Sequence, residues 1–280
     1  MNQLLQGEGR LTEYLHMRTP IASLPPRMRP PSVSWCAGYL LFVLLFAASI
    51  QGVGIAPGEL IAGIPHLGRI LADMFPPSLH RLDAVGWALL ETFAMALVGT
   101  GLGVVLSFPL SILASRTHTP HPLCYHCARM LVSLFRTVPD LIWALLFVVS
   151  VGLGPFAGTL AIMVDTIGFC GRFFAEAMEE VNPEPQEALR SLGARHADIV
   201  FCAVAPAALP SFINTSLFSL EKATRSSVVL GLVGAGGIGI ELKVAMDMFQ
   251  YDQAATIILA VFALVVAVEQ LSAAVRRSII

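Results

Sequence analysis

Six apolar stretches, each long enough to cross a lipid bilayer, constrain this chain more than any other feature of its sequence. They lie near residues 35–55, 85–113, 131–151, 155–175, 212–233 and 254–274. Because the bilayer core offers the backbone no water, a chain that crosses it in runs of about 20 residues does so as helices. Only 13% of the residues are charged, against about 25% in soluble domains. The sequence therefore predicts an all-α integral membrane protein with about six transmembrane helices.

Arginines and lysines are distributed unequally between the connecting segments, and this predicts the orientation of the chain. With six spans, one side receives Arg10, Arg18, Arg27, Arg29, Arg116, Arg129, Arg190, Arg195, Arg276 and Arg277, and the other side only Arg69, Arg81 and Lys243. Positively charged short loops remain in the cytoplasm. Both termini are therefore predicted to be cytoplasmic. No basic block indicates binding to nucleic acid.

Three segments precede the main membrane region. Residues 1–34 are polar and proline-rich and predict a cytoplasmic N-terminal arm, followed by a first transmembrane helix at 35–56 that is retained rather than cleaved as a signal peptide. Residues 57–83 are too polar to span. Their apolar residues recur at helical spacing, which predicts an amphipathic helix on the outer membrane surface, with a loosely ordered loop as the alternative. The main transmembrane domain is predicted to cover 84–275.

A charged stretch at 182–210, here called the loop segment, interrupts the apolar runs. Asn182 and Pro183 are typical of a helix start, and Gly193 is placed to end that helix. A second helix is predicted from Ala194 to Ala205, ending at Pro206. A helix–glycine–helix with this many charges cannot cross the bilayer. It is expected to lie along the cytoplasmic surface and to offer an apolar face, framed by charge, to another protein, with Ala188, Leu189 and Leu192 on one face of its first helix.

The loop segment resembles a family motif. Glu187-Ala188-Leu189, followed by Gly193 and Pro206, is similar to the EAA loop of ABC-importer permeases, with leucine at the third position. The stretches RTVPDLIWALLFVVSVGLGPFAG (136–158), TIGFCGRFFAEAMEE (166–180) and EKATRSSVVLGLVGAGGIG (221–239) resemble the phosphonate-transporter permease within that family. The resemblance covers roughly residues 75 to 275.

This resemblance implies a type I ABC importer permease (MetI-like) architecture in a bacterial inner membrane, acting as a homodimer in contact with membrane lipid. It implies that the loop segment docks on a cytoplasmic ABC ATPase dimer through Glu187, Ala188, Leu189, Gly193 and Pro206. An extracytoplasmic phosphonate-binding protein would deliver the solute. The chain itself would hold no cofactor and catalyse nothing, since ATP would bind to the partner subunit. Phosphate, phosphite or another small solute is the alternative cargo, and a membrane-embedded enzyme or a non-transporting scaffold is the alternative from another class.

Charged residues inside the apolar runs are the candidate substrate-pathway residues. Arg136 and Asp140, Arg172 and Glu176, and Glu221 and Arg225 are each four residues apart, so each pair is predicted to share one helix face as an ion pair. Lys222 and Arg225 together exceed Glu221 by one positive charge. That surplus suits the passage of an anion. Arg225, Glu221, Lys222, Arg136 and Asp140 are therefore predicted to line the pathway.

Two further motifs have competing interpretations. Gly234, Gly236 and Gly239 form GxGxxG, but the apolar run around them has no room for a dinucleotide-binding unit. With Gly237, they are instead predicted to allow close helix packing or a hinge. Residues 118–127 contain three histidines and two cysteines, which could hold a metal. A single CxxC without a second pair favours a plain loop, and no metal site is predicted.

Overall fold

The computed structural model describes residues 33–54 and 57–279. The N-terminal arm predicted for residues 1–34 lies almost entirely outside the described residues. The described part of the chain is helical and contains no strand. It divides into two compact units, with the boundary after Ile64.

The helices follow one another with short connections. They are α1 (Val33–Val53), α2 (Pro57–Asp73), α3 (Leu82–Ala114), α4 (Pro122–Thr137), α5 (Asp140–Val151), α6 (Pro155–Glu179), α7 (Pro183–Ser191), α8 (His196–Ile199), α9 (Ala205–Leu232), α10 (Ile238–Asp247) and α11 (Tyr251–Ile279). A π-helical turn, Val200–Val204, joins α8 to α9. Among the described residues, five helices are long and apolar enough to span a membrane, and α4 with α5 makes a sixth if that bent pair crosses once.

The first unit contains α1, and the unit boundary falls inside α2. Helix α1 carries no charged residue over its 21 residues, as a membrane span requires. Helix α2 forms where the apolar spacing predicts a helix, and it continues through Pro65. It ends at Asp73, just before the Phe75-Pro76-Pro77 sequence, whose two prolines cannot donate backbone hydrogen bonds.

The centre of the second unit is a close contact between α3 and α6. A Cβ added to Gly99 would lie 2.8 Å from a methyl carbon of Ile162, and one added to Gly103 would lie 2.5 Å from the Cβ of Thr166. Side chains larger than hydrogen would therefore force the helices apart. Small residues provide this closeness in membrane proteins, where packing rather than water exclusion holds helices together.

Helix α6 is the most enclosed of the spans, and the other helices pack around it. One buried cluster joins α6 to α3, α5 and α9 through Ile162, Met95, Ala144 and Leu230. A second cluster, centred on Phe174 of α6, reaches the π-helical turn and the start of α9. Side chains of α6 therefore contact α3, α5, α9 and the π-helical turn.

The third predicted span, 131–151, is not one continuous helix. Helices α4 and α5 meet at 90° across Val138 and Pro139. Proline has no N–H and disfavours helical geometry in the residue before it, so the helix ends at Thr137. Asp140 begins α5. The apolar run predicted the membrane location of this segment but not its break.

The predicted end of the second loop helix at Pro206 is wrong. Helix runs without interruption from His196 to Leu232, through both Pro206 and Pro210. In the π-helical turn, the N–H of Ala205 donates to the carbonyl of Val200, five residues back. The change of register places Pro206 in the first turn of the following α-helical segment, where proline's missing N–H is tolerated.

The contact between α3 and α6 predicts a sharp difference between two glycines of α3. Gly103→Leu should lower the free energy of unfolding by about 1–3 kcal/mol, because the side chain would meet Thr166. Gly101→Leu is the matched control, since nothing lies within 4 Å of the position its Cβ would take. Thermal unfolding of both variants in detergent tests this. Equal unfolding temperatures would contradict the assigned contact.

Candidate functional site

Helix α9 carries three charged residues in its membrane span, and each has a different environment. Glu221 forms an ion pair with Arg276 of α11, 55 residues away. The Glu221 side chain is only 11% exposed. Arg276 therefore neutralises a nearly buried carboxylate. Arg276, which the arginine distribution predicts to lie on the cytoplasmic side, contacts α9 through this ion pair.

Lys222 is neutralised by Asp165 of α6. Its Nζ lies 2.9 and 2.8 Å from the two carboxylate oxygens of Asp165 and 5.4 Å from the centre of the Phe169 ring. Asp165 is not among the residues that the sequence predicts for the pathway. The signal was present, because a lone acidic residue in an apolar run needs a partner within the membrane.

Arg225 is exposed and forms no ion pair or hydrogen bond within residues 33–54 and 57–279. The predicted pairing of Arg225 with Glu221 is wrong, because Glu221 is held by Arg276 on α11. The hydroxyl of neighbouring Ser227 is buried and donates to the Thr224 carbonyl at 2.9 Å. Because Glu221 and Lys222 are each neutralised by an ion pair, Arg225 is the one charged residue of α9 in the described part of the chain whose charge is unbalanced.

Of the two remaining predicted ion pairs, one forms and the other does not. Arg172 donates to Glu176 at 2.7 Å, which confirms that pair. Arg136 and Asp140 do not pair, because the bend at Pro139 places them on different helices. Asp140 instead accepts a hydrogen bond from the backbone N–H of Leu141 at 2.9 Å. Arg136 lies 6.0 Å from the centre of the Phe173 ring, and that ring lies 4.7 Å from the Phe169 ring that Lys222 contacts.

The glycine run makes a tight turn between α9 and α10. Gly234, Gly236 and Gly237 have positive φ, which side chains rarely adopt. The Gly237 N–H donates to the Glu91 carboxylate at 2.9 Å, which ties the turn to α3. A Cβ on Gly239 would lie 2.1 Å from the Val228 carbonyl oxygen. The turn is therefore held against α3 and folded closely back on α9.

The loop segment begins as the sequence predicts. The Asn182 side chain accepts a hydrogen bond from the Glu184 N–H at 3.1 Å and caps α7. Glu187 and Ala188 are exposed, whereas Leu189 packs against the cluster around Phe174. Leu189 is therefore half-buried and also holds α7 to the rest of the protein.

An exposed leucine marks the turn after α7. Leu192 is 82% exposed, and Gly193 beside it has a φ of 79°. The Gly193 N–H donates to the Arg190 carbonyl and closes the turn. A single exposed apolar side chain is common, so its position on the loop segment, and not its exposure alone, makes Leu192 a candidate docking residue. Helical spacing predicts Leu192 on the same face as Leu189, but the structure exposes Leu192 and half-buries Leu189.

The loop before α4 contacts the start of α8. The Nε2 of His196 lies 2.6 Å from the His118 carbonyl oxygen, so this nitrogen carries the proton. Burial lowers the pKa of His118, and nearby His196 acts in the same direction. Cys124 and Cys127 are exposed on α4. Within the described ranges, no three His, Cys, Asp or Glu side chains converge as metal ligands.

Comparison with known proteins gives consistent matches. Residues 107–280 match the family described as "Binding-protein-dependent transport system inner membrane component". A phosphite transport system permease protein from Stutzerimonas stutzeri is 37% identical over 218 residues, which cover 78% of this chain and 79% of that protein. A phosphate-import permease protein from Mycolicibacterium smegmatis is 39% identical over 217 residues, which cover 77% of this chain but only 41% of that longer protein.

Two further matches extend the comparison. A cryptic phosphonate transport system permease protein from Escherichia coli is 34% identical over 121 residues, covering 43% of this chain and 99% of that protein. An inward-facing structure of the MetNI methionine ABC transporter aligns with a TM-score of 0.62 at 23% identity, covering 72% of this chain and 99% of that chain. The structural match shows the fold.

The Lys222–Asp165 pair predicts that a double change is better tolerated than a single one. Lys222→Met should lower the free energy of unfolding by about 1–3 kcal/mol, because Asp165 would remain in the membrane without a partner. Adding Asp165→Asn should recover most of that loss. Thermal unfolding in detergent measures both variants. Lys243→Met, which changes an exposed lysine of α10, is the control, and equal losses in the single and double variants would contradict the pairing.

Proposed function

Because this chain belongs to the family of binding-protein-dependent transport system inner membrane components, we propose that it carries phosphonates across the cytoplasmic membrane. It is a non-catalytic, multi-pass permease subunit of an ABC importer, with the type I importer fold. The proposal concerns the solute, the partners and the orientation. Phosphite and phosphate are the alternative solutes, because similar permeases carry those names.

Arg225 is the observation that carries the proposal of an anionic solute. A phosphonate has one to two negative charges near neutral pH, and removing its water is costly unless a fixed positive charge meets it. Arg225 is an exposed cation on a span whose other charges are neutralised. Its guanidinium can donate to two oxygens of one phosphonate at once. In a homodimer, two copies of Arg225 would face the same axis.

The shape of the loop segment supports a cytoplasmic ATPase dimer as partner. Leu192 supplies an exposed apolar contact, Glu187 an exposed charge, and Gly193 a turn that side chains would strain. ATP would bind to that partner. The arginine distribution supports cytoplasmic termini, with the loop segment on the same side. An extracytoplasmic phosphonate-binding protein would then deliver solute to the turn between α9 and α10.

Replacing Arg225 tests the anionic pathway. Arg225→Met should abolish phosphonate uptake, and Arg225→Lys should reduce it in part, because an ammonium keeps the charge but grips two oxygens less well. Uptake is measured in vesicles that contain the ATPase and the binding protein, with phosphonates, phosphite and phosphate as separate solutes. The solute with the highest rate identifies the cargo.

Lys243→Met is the matched control for this experiment, since it also removes one exposed cation of the same unit. It should leave uptake within about twofold of the unmodified chain, as expected for a surface charge outside the pathway. Normal uptake by Arg225→Met would show that the anionic pathway lies elsewhere. Co-purification with the ATPase confirms that each variant still assembles.

Changes at the turn of the loop segment test the ATPase partner. Leu192→Glu should weaken ATPase co-purification at least about tenfold, because an apolar anchor in an interface is replaced by a charge. Gly193→Val should leave the protein in the membrane but uncouple ATP hydrolysis from uptake. Met248→Asn, at an exposed position in the turn after α10, is the control. Undiminished ATPase binding by Leu192→Glu would contradict the docking role.

A further inference from the structure

A basic cavity lies between α4 and α6. It has a volume of about 660 Å³ and is lined by three arginines, Arg129, Arg136 and Arg172. The hydroxyl-bearing residues Ser133 and Thr137 also line it. Arginine offers five N–H donors in a planar fork, so three guanidiniums at one cavity provide many donors for a compact anion.

The acidic residues near the cavity do not balance its charge. Arg172 pairs with Glu176 at 2.7 Å, and Arg129 pairs with Glu179 at 3.5 Å. Arg136 has no carboxylate partner within the described part of the chain. One positive charge is therefore left over, beside the partly buried ring of Phe173.

Helical spacing produces this basic face. Arg129, Ser133 and Arg136 follow one another at intervals of four and three residues, so they lie on one side of α4. Thr137 donates its hydroxyl to the Ser133 carbonyl. The Ser133 hydroxyl donates to no group among the described residues, so it remains available to a ligand.

The rim of the cavity is apolar and exposed. Met130, which lines it, is 72% exposed, and Leu134 on the next turn is 51% exposed. A basic cavity with apolar side chains at its edge fits an amphipathic molecule that has an anionic headgroup and an apolar tail. In membranes, such basic pockets between helices suit anionic lipid headgroups.

We propose that this cavity binds a phosphorus oxyanion, with Arg136 as its principal ligand. The apolar rim favours the phosphate of an anionic phospholipid as the source, and free inorganic phosphate is the other source of the same chemistry. Arg129 and Arg172 remain paired with their glutamates and add N–H donors. The proposal is distinct from the role proposed for Arg225, because it concerns α4 and α6. It assigns a lipid headgroup to Arg136, which the sequence also predicts to line the pathway, and its test measures binding without transport.

Binding to the purified full-length chain tests the proposal without the ATPase or the binding protein. The delipidated protein in detergent is titrated with phosphatidylglycerol, with phosphatidylcholine and with inorganic phosphate, and bound molecules are counted by native mass spectrometry. Arg136→Gln should weaken phosphatidylglycerol binding at least about tenfold, as expected for losing a charge-assisted contact. Arg136→Lys should retain part of the affinity. Arg136 is exposed and unpaired, so its replacement should not unfold the chain, which thermal unfolding checks.

Comparing the phosphatidylglycerol titration with the inorganic phosphate titration identifies the source of the bound oxyanion. Phosphatidylglycerol binding that depends on Arg136, without matching phosphate binding, assigns the cavity to a lipid headgroup. Arg136-dependent binding of inorganic phosphate assigns it to a free oxyanion. Arg277→Gln, which removes an exposed arginine near the end of α11, is the matched control. The proposal is overturned if Arg136→Gln changes neither titration, or if Arg277→Gln causes the same loss.

Discussion

The glycine-mediated contact between α3 and α6 determines where the other helices can pack. Because Gly99 and Gly103 let the two backbones approach, α6 lies deep in the second unit. Its side chains then meet several neighbours. Asp165 of α6 holds Lys222 of α9, and Glu179 of α6 pairs with Arg129 of α4. The contact between α3 and α6 thus positions the charged residues of α6 beside their partners, although it contains no charge itself. Van der Waals packing holds this contact together, because the hydrophobic effect does not drive helices together within lipid.

Ion pairs within one helix could be predicted from the sequence, and pairs between helices could not. Arg172 and Glu176 share one uninterrupted helix, so a spacing of four residues was enough. Glu221 has an arginine at the same spacing but pairs with Arg276 of another helix. That choice depends on which helices become neighbours. Periodicity contains no such information. The position of Asp165 in an apolar run indicates that it needs a partner, but not that the partner is Lys222.

The presence of five to six apolar helices followed from hydropathy, but the effects of individual prolines did not. Pro139 accompanies a 90° break between α4 and α5, whereas Pro206 lies within continuous helix. The difference is local: a π-helical turn precedes Pro206 and shifts the hydrogen-bond register, so Pro206 lies in the first turn of the following segment. Such a turn has no clear sequence signature. In the same way, the apolar pattern of α7 did not reveal that Leu189 faces inward while Leu192 faces out.

The continuous helix from His196 to Leu232 has a mechanical consequence. It crosses α6 where the Ser219 hydroxyl donates to Thr166 at 3.3 Å. From Ser219, the helix extends about 35 Å to His196 in one direction and about 9 Å to Arg225 in the other. If the helix tilted about this crossing without bending at the π-helical turn or at Pro210, it would be a lever with unequal arms, of ratio about four to one. A displacement of about 4 Å at the loop segment would move the Arg225 backbone by about 1 Å in the opposite direction, with correspondingly greater force.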